Sequence, residues 1–290
     1  MIRSNSEGDI YIEEMPLLLV HLREEEKGAD ARLSEVLSYA LDGYAYETAT
    51  EISAFEDYVN RWRRLEKTQN RKNPVQGRIL FAVPLGTSGI NLELYRLIRF
   101  LREHPDFLNG FVGGLLVDSE NDLYSKSAAK DLVFAANCAG CAFVGRPLVE
   151  GTRTLSNYTI VSNNLGTDLM GAYRESAAGL VKEVLGTDCV RKKCPKVLVL
   201  HASSHKTSNT YAIWNRVKEQ LPEMEIREIG LRNGTLSDCA GCPYKMCLHF
   251  GEQGSCFYGG VMVEDVYPAV READAIVMLC PNYNLSLIHI

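Results

Sequence analysis

The stretch that decides the fold is KVLVLHASSHKTSNTYAIW, residues 196–214. Its apolar beginning, Lys196 to Ala202, is typical of a strand buried on both faces of a parallel sheet. The polar loop Ser203 to Asn209 follows, and the next residues, Thr210 to Leu221, have the pattern of an amphipathic helix. A strand, a short polar loop and a helix form the first unit of an α/β fold.

The chemistry of this loop is suited to a phosphate group. The first turn of a helix presents N–H groups without acceptors, and its dipole favours an anion. Serine and threonine hydroxyls add donors, and His205 or Lys206 adds positive charge. The loop lacks the GxGxxG and GK[ST] patterns of nucleotide-binding loops, which favours a terminal monophosphate. The same residues also suit a plain helix N-cap at Ser208 or Asn209, so the loop alone leaves both interpretations open.

Two further strands are predicted downstream, Glu225–Leu231 and Ala275–Cys280, with a helix over Val263–Glu272 between them. The motif PNYN, residues 281–284, follows the third strand. A doubly wound sheet of this kind needs about five strands. We therefore expect the chain to be a fragment, and its apolar end LSLIHI, residues 285–290, to be an artefact of sequencing or cloning.

These motifs resemble those of a known family. ASSHKTSNT, residues 202–210, is similar to the GSxRxxSNT phosphate loop of the NADPH-dependent FMN reductase and iron–sulfur flavoprotein family. PNYN is similar to the loop that lies along the isoalloxazine ring in that family. The resemblance covers about residues 194–284, with Ala202 where glycine is usual and His205 where arginine is usual.

The resemblance implies FMN as the cofactor and NAD(P)H as the electron donor. On the phosphate side, the residues that the resemblance implies are Ser203, Ser208, Asn209 and Thr210. His205 and Lys206 are added to the candidate cofactor-binding residues for their positive charge. On the ring side they are Pro281, Asn282, Tyr283 and Asn284.

Four cysteines occur within 18 residues, with the spacing Cys239-x2-Cys242-x4-Cys247-x8-Cys256. Thiolates bind soft metal centres, so a [4Fe–4S] cluster and a tetrahedral zinc are candidates, beside free or redox-active thiols. The placement resembles the cysteine motif of iron–sulfur flavoproteins, although those have the third cysteine three positions after the second, and here the interval is five. Spacing alone does not choose among the three.

Before residue 169, apolar runs alternate with amphipathic stretches, which predicts a separate α/β unit. Its five predicted strands are Pro16–Leu22, residues 46–53, Arg78–Pro84, Phe111–Val117 and Cys141–Val149. The loop after the first strand, REEEKGAD, is acidic and would repel a phosphate. We therefore predict two flavodoxin-like, doubly wound parallel-sheet units of the α/β class, the second incomplete. Their bounds are 1–168 for a unit without a phosphate loop, 169–193 for a helical linker, and 194–290 for the FMN-binding domain.

Three features of the first unit have two interpretations each. GTSGIN, residues 86–91, could line a pocket, but a turn capped by Ser88 or Asn91 is favoured. DSEND, residues 118–122, could bind a cation, but an exposed loop with capping acids is favoured. The pair Cys138 and Cys141 could be a redox dithiol, but buried structural cysteine is favoured.

Composition excludes several function classes. A formal net charge of −6 argues against a nucleic-acid partner, which a clustered basic surface would indicate. The sequence has neither a signal-peptide pattern nor a long apolar run. Nine cysteines without a secretion signal favour a reducing, cytoplasmic location.

The leading hypothesis is an FMN-dependent NAD(P)H oxidoreductase that passes electrons to a quinone, a flavin or a protein acceptor. One alternative is an iron–sulfur flavoprotein module that only transfers electrons. Another is a non-catalytic, metal- or ligand-binding regulatory protein. The family resemblance also implies a homodimer, because a second subunit commonly completes the flavin face.

Overall fold

The fold is described from a computed structural model, which covers residues 2–4, 10–12, 15–21, 23, 27–68, 76–189, 192–202, 208–231 and 236–280. The chain divides into two compact units, Met1–Cys189 and Val190–Ile290. Within the described ranges, no helix is both long enough and apolar enough to cross a bilayer.

The first unit is built on a parallel five-stranded sheet. An antiparallel pair, β1 (Ile2–Ser4) and β2 (Ile10–Ile12), precedes it. The five parallel strands are β3 (Leu17–His21), β4 (Tyr46–Ala49), β5 (Gly77–Leu85), β6 (Phe111–Ser119) and β7 (Ala142–Gly151). Their order across the sheet is β4-β3-β5-β6-β7. Numbered along this unit, that is 2-1-3-4-5, the order of the flavodoxin-like fold. All five predicted strands are confirmed.

Helices cover both faces of this sheet. They are α1 (Lys27–Ala40), α2 (Ile52–Thr68), α3 (Leu92–Glu103), α4 (Ser125–Cys138), α5 (Thr159–Leu165) and α6 (Leu169–Gly186), with a 3₁₀ turn at Ser156–Tyr158. One core lies between the sheet and α2, α3 and α4, and the other between the sheet and α1 and α6. Every residue of β6 is buried, because parallel strands in the middle of such a sheet are covered on both faces.

Residues 169–193, predicted as a helical linker, belong largely to this first unit. Helix α6 begins at the cap Asp168, whose carboxylate accepts a hydrogen bond from the Gly171 N–H at 2.6 Å. After the helix, the Cys189 N–H donates to the Gln76 side chain at 2.8 Å. The linker prediction is wrong for α6 because its apolar face is buried in the core, through Ala172, Tyr173, Ala177, Leu180, Val181 and Val184.

The prediction that residues 118–122 form an exposed loop is wrong for Asp118, which lies in β6. Its side chain is fully buried at the end of β6 and accepts hydrogen bonds from Arg32, from Nη2 at 2.7 Å and from Nε at 3.0 Å and 3.1 Å. The same guanidinium donates to the Ser119 and Arg153 carbonyls at 3.0 and 3.2 Å. Burial raises the pKa of the Asp118 carboxyl above its usual range, and the pairing with Arg32 offsets part of that effect. Asp118 therefore depends on Arg32 for its charge compensation.

Removing Arg32 should strongly destabilise the first unit. We expect Arg32→Met to lower the free energy of unfolding by about 3–5 kcal/mol, because it leaves a buried carboxyl without its partner. The double variant Arg32→Met/Asp118→Leu should recover much of this loss. The chain has two tryptophans, Trp62 in the first unit and Trp214 in the second. With Trp214 replaced by phenylalanine, urea unfolding followed by tryptophan fluorescence therefore reports on the first unit alone. A decrease in the free energy of unfolding below about 1 kcal/mol, the range of surface ion pairs, would contradict the role of Arg32 as the partner of a buried carboxylate.

The second unit repeats the beginning of the same pattern. Its elements are β8 (Lys196–His201), α7 (Asn209–Lys218), β9 (Glu225–Gly230), α8 (Tyr244–Gly251), a π-helical turn (Met262–Val266), α9 (Tyr267–Glu272) and β10 (Ala275–Leu279). The three strands are parallel in the order β10-β8-β9. This matches β5-β3-β4 in the first unit, and it confirms the α/β class with two flavodoxin-like parallel sheets.

Candidate functional site

The carboxyl edge of the second sheet is where a ligand is expected. Strands β8, β9 and β10 run parallel, so the segments that follow them leave from the same edge. In open α/β sheets, ligands bind outside the carboxyl ends of the strands. Of the predicted phosphate-binding residues, Ser208, Asn209 and Thr210 lie at this edge, at the start of α7. The other predicted residues lie outside the described ranges: Ser203, His205, Lys206, Pro281, Asn282, Tyr283 and Asn284.

Ser208 is the N-cap of α7, as one of the two interpretations predicts. Its backbone is extended, and its Oγ accepts a hydrogen bond from the Tyr211 N–H at 3.3 Å. The Ala212 N–H makes the first helical bond, to the Ser208 carbonyl at 2.9 Å. The N–H groups of Asn209 and Thr210 therefore have no acceptor within the helix.

This helix start fits a phosphate as well as a cap. A hydroxyl has one hydrogen to donate and two lone pairs. Because Ser208 Oγ uses a lone pair to cap α7, its hydrogen is still available to an anion. Together with the N–H groups of Asn209 and Thr210, it supplies three donors at the positive end of a helix dipole. The cap and the phosphate interpretations are therefore compatible.

Glu228 on β9 holds α7 in place. Its carboxylate accepts hydrogen bonds from Tyr211 Oη at 2.7 Å, Trp214 Nε1 at 3.2 Å and Lys218 Nζ at 2.8 Å. These donors lie on one face of the helix, three and four residues apart. Burial opposes ionisation, but the three hydrogen bonds outweigh it and lower the pKa of Glu228 to about 2. The carboxylate thus fixes the first turn of α7, which carries the candidate donors.

His201 is the last residue of β8 and was not predicted as a site residue. Its ring lies 5.0 Å from the ring of Tyr211, centroid to centroid. Its Nδ1 is buried and has no hydrogen-bond partner in the described part of the structure. The available sequence signal is a polar residue at the end of an otherwise apolar strand, one residue before the polar loop.

The structure does not bring the four predicted metal ligands together. Among the described residues, no three histidines, cysteines or acids form a group that could hold a metal ion. Cys239, Cys247 and Cys256 are exposed, and Cys242 is half-buried. Helix α8 contains Cys247 but neither Cys242 nor Cys256, so it separates the motif into parts. A metal at these cysteines stays a prediction.

For the turn over residues 86–91 and the pair Cys138 and Cys141 of the first unit, the structure chooses between the two interpretations. Asn91 caps α3, since its Oδ1 accepts from the Leu94 N–H at 2.9 Å while its Nδ2 donates to the Pro84 carbonyl at 2.8 Å. This confirms the capped turn over 86–91. Cys141 is buried, as predicted, whereas Cys138 is exposed because it lies on the last turn of α4.

The charge of Glu228 should stabilise the second unit in a pH-dependent way. A carboxyl whose pKa is lower in the folded state adds stability above its unfolded pKa, and loses it as the pH falls through the folded pKa. We therefore expect Glu228→Gln to destabilise this unit at pH 7, and the difference from wild type to vanish between about pH 4.5 and about pH 2.

Trp214 fluorescence in a Trp62→Phe background measures this effect, because Trp214 itself bonds Glu228. The matched control is Glu225→Gln, an exposed position on the same strand, which should change little. A destabilisation by Glu228→Gln that stays constant down to pH 2 would contradict a role for the charge.

Comparison with known proteins locates a family match in the second unit. The family model of NADPH-dependent FMN reductase matches residues 195–287. No curated protein and no solved structure matches the chain significantly. The matched segment starts one residue before β8 and extends beyond β10, so it includes the first turn of α7 and the cysteine-containing segment. The second unit of this chain, with its flavodoxin-like parallel sheet, is therefore similar over residues 195–287 to the NADPH-dependent FMN reductases.

Proposed function

We propose that this protein is an FMN-dependent NAD(P)H oxidoreductase whose second unit holds the flavin. The family match points to an oxidoreductase. The observation that carries the proposal is the start of α7, where Ser208, Asn209 and Thr210 present donors at the carboxyl edge of the sheet within the matched segment.

In this proposal, the residues of this chain bind FMN and orient it. The Ser208 hydroxyl and the N–H groups of Asn209 and Thr210 would hold the phosphate of FMN at the start of α7. Glu228 would keep these donors in place through its bonds to α7. When bound, FMN supplies the redox chemistry between NAD(P)H and a quinone, flavin or protein acceptor.

The substitution Ser208→Asp tests the phosphate site. Aspartate caps a helix about as well as serine, but it has no hydroxyl hydrogen to donate and its charge repels a phosphate. We expect the affinity for FMN to fall at least about tenfold, or about 1.4 kcal/mol, with riboflavin binding unchanged. Equilibrium titration by flavin fluorescence measures both.

The control for this test is Ser255→Ala, because the Ser255 hydroxyl donates to the Phe250 carbonyl away from α7. If Ser208→Asp binds FMN as tightly as wild type, the phosphate does not sit at this helix.

Anaerobic addition of NADPH to the FMN-loaded protein should bleach the flavin absorbance. Failure of both NADPH and NADH to do so would remove the reductase assignment.

Iron analysis separates this function from that of an iron–sulfur electron-transfer module. We expect FMN without stoichiometric iron after anaerobic purification, because the described cysteines do not converge. About four irons per chain, with visible absorbance that persists after flavin removal, would instead favour a [4Fe–4S] module. In that case Cys239→Ser should lose the iron and keep the FMN.

A further inference from the structure

The fold divides the four-cysteine motif into two parts. Cys239 and Cys242 both precede α8, in residues 236–243, which form neither helix nor strand. Cys247 lies on α8, and Cys256 follows that helix. Among the described residues no three side chains form a group that could hold a metal ion, so these cysteines do not share one site there. Cys239 and Cys242 are therefore left as a pair of their own.

The backbone between the two cysteines suits a small ring. Only Ala240 and Gly241 separate them, and Gly241 has a φ of 67°, which residues with a Cβ rarely adopt. Residues three positions apart on a turning segment approach to the separation that a disulfide needs, about 4–7 Å between Cα atoms. Because short loops have the lowest entropic cost of closure, this pair should close more readily than a pair across α8.

The two thiols differ in their exposure to solvent. Cys239 is exposed, whereas Cys242 is half-buried. In thiol–disulfide exchange, one cysteine attacks an external disulfide, and a second cysteine then resolves the mixed disulfide from within the protein. The first step requires access to the external molecule, which favours Cys239 as the attacking thiol and Cys242 as the resolving thiol.

We propose that Cys239 and Cys242 are a redox-active dithiol that exchanges with small-molecule disulfides. Cys239 Sγ bonds to one sulfur of the external disulfide, and the other sulfur leaves as a thiol. Cys242 Sγ then attacks Cys239 Sγ, so the protein disulfide forms and the second external thiol leaves. Two electrons and two protons pass from the cysteine pair to the external disulfide, which becomes two thiols. This reaction needs neither FMN nor NAD(P)H.

Trypsin separates the proposed pair from the rest of the motif. Cleavage after Arg232 and Lys245 places the pair in residues 233–245 and the other two cysteines in residues 246–271. The full chain is equilibrated with oxidised glutathione, the remaining thiols are trapped with N-ethylmaleimide, and the digest is analysed by mass spectrometry without reduction. We expect peptide 233–245 to take up no N-ethylmaleimide and to be about 2 Da lighter, the mass of two hydrogens. Dithiothreitol should restore both trapping sites.

Single substitutions assign the two roles. In Cys242→Ser the resolving thiol is absent, so the reaction should stop with glutathione bound to Cys239, an addition of about 305 Da. In Cys239→Ser the half-buried thiol must attack, and we expect its adduct to form at least about tenfold more slowly. Equal rates in the two variants would contradict Cys239 as the attacking thiol. The matched control is Cys247→Ser/Cys256→Ser, in which peptide 233–245 should behave as in wild type.

Three results in the wild-type protein would overturn the dithiol. Peptide 233–245 could keep both thiols free, carry only glutathione adducts, or be crosslinked to residues 246–271. None of these measurements requires a flavin. A failure here therefore leaves the proposed reductase function standing, and a failure to bind FMN leaves the dithiol standing.

Discussion

The carboxylate of Glu228 is the interaction on which the candidate site depends. It accepts three hydrogen bonds from side chains along one face of α7, and so fixes the helix against β9. The start of α7 then lies at the carboxyl edge of the sheet, where Ser208 caps it and leaves N–H groups for an anion. Because charge-assisted hydrogen bonds are stronger than neutral ones, a single ionised carboxylate can hold this geometry in a unit with a small core.

The two units share a strand order and differ in what fills the carboxyl edge. In the first unit, Arg32 pairs with the buried Asp118 at the end of β6 and also bonds two carbonyls there. In the second unit, the strand end carries His201 with a nitrogen that has no partner among the described residues, and the next helix begins with N–H groups that have no acceptor within the helix. The carboxyl edge of the first sheet therefore holds a buried ion pair whose groups bond each other, whereas the carboxyl edge of the second sheet holds several hydrogen-bond donors. This difference supports a division of roles, with the flavin assigned to the second unit.

The sequence predicts the strands well, because short apolar runs between polar loops are typical of the buried strands of a parallel sheet. All eight parallel strands of the described ranges lie where the pattern places them. The Ser208 cap is also predictable, because N-cap chemistry depends only on neighbouring residues.

Features that join distant residues are not predictable in this way. Arg32 and Asp118 are 86 positions apart, and an acidic stretch such as DSEND indicates a solvent-exposed loop until its partner is known. Glu228 looks like a surface charge on an alternating strand, because its three donors become neighbours only when α7 packs on the sheet. The apolar periodicity of α6 predicts a helix but not which sheet buries it. The cysteine spacing predicts a shared site, yet α8 intervenes within the motif.

The central claim is that a flavin phosphate binds at the start of α7, and a crystal structure of the chain with FMN tests it most directly. The account predicts phosphate oxygens about 3 Å from the N–H groups of Asn209 and Thr210 and from Ser208 Oγ. A phosphate bound elsewhere, with these three donors facing only water, would contradict it.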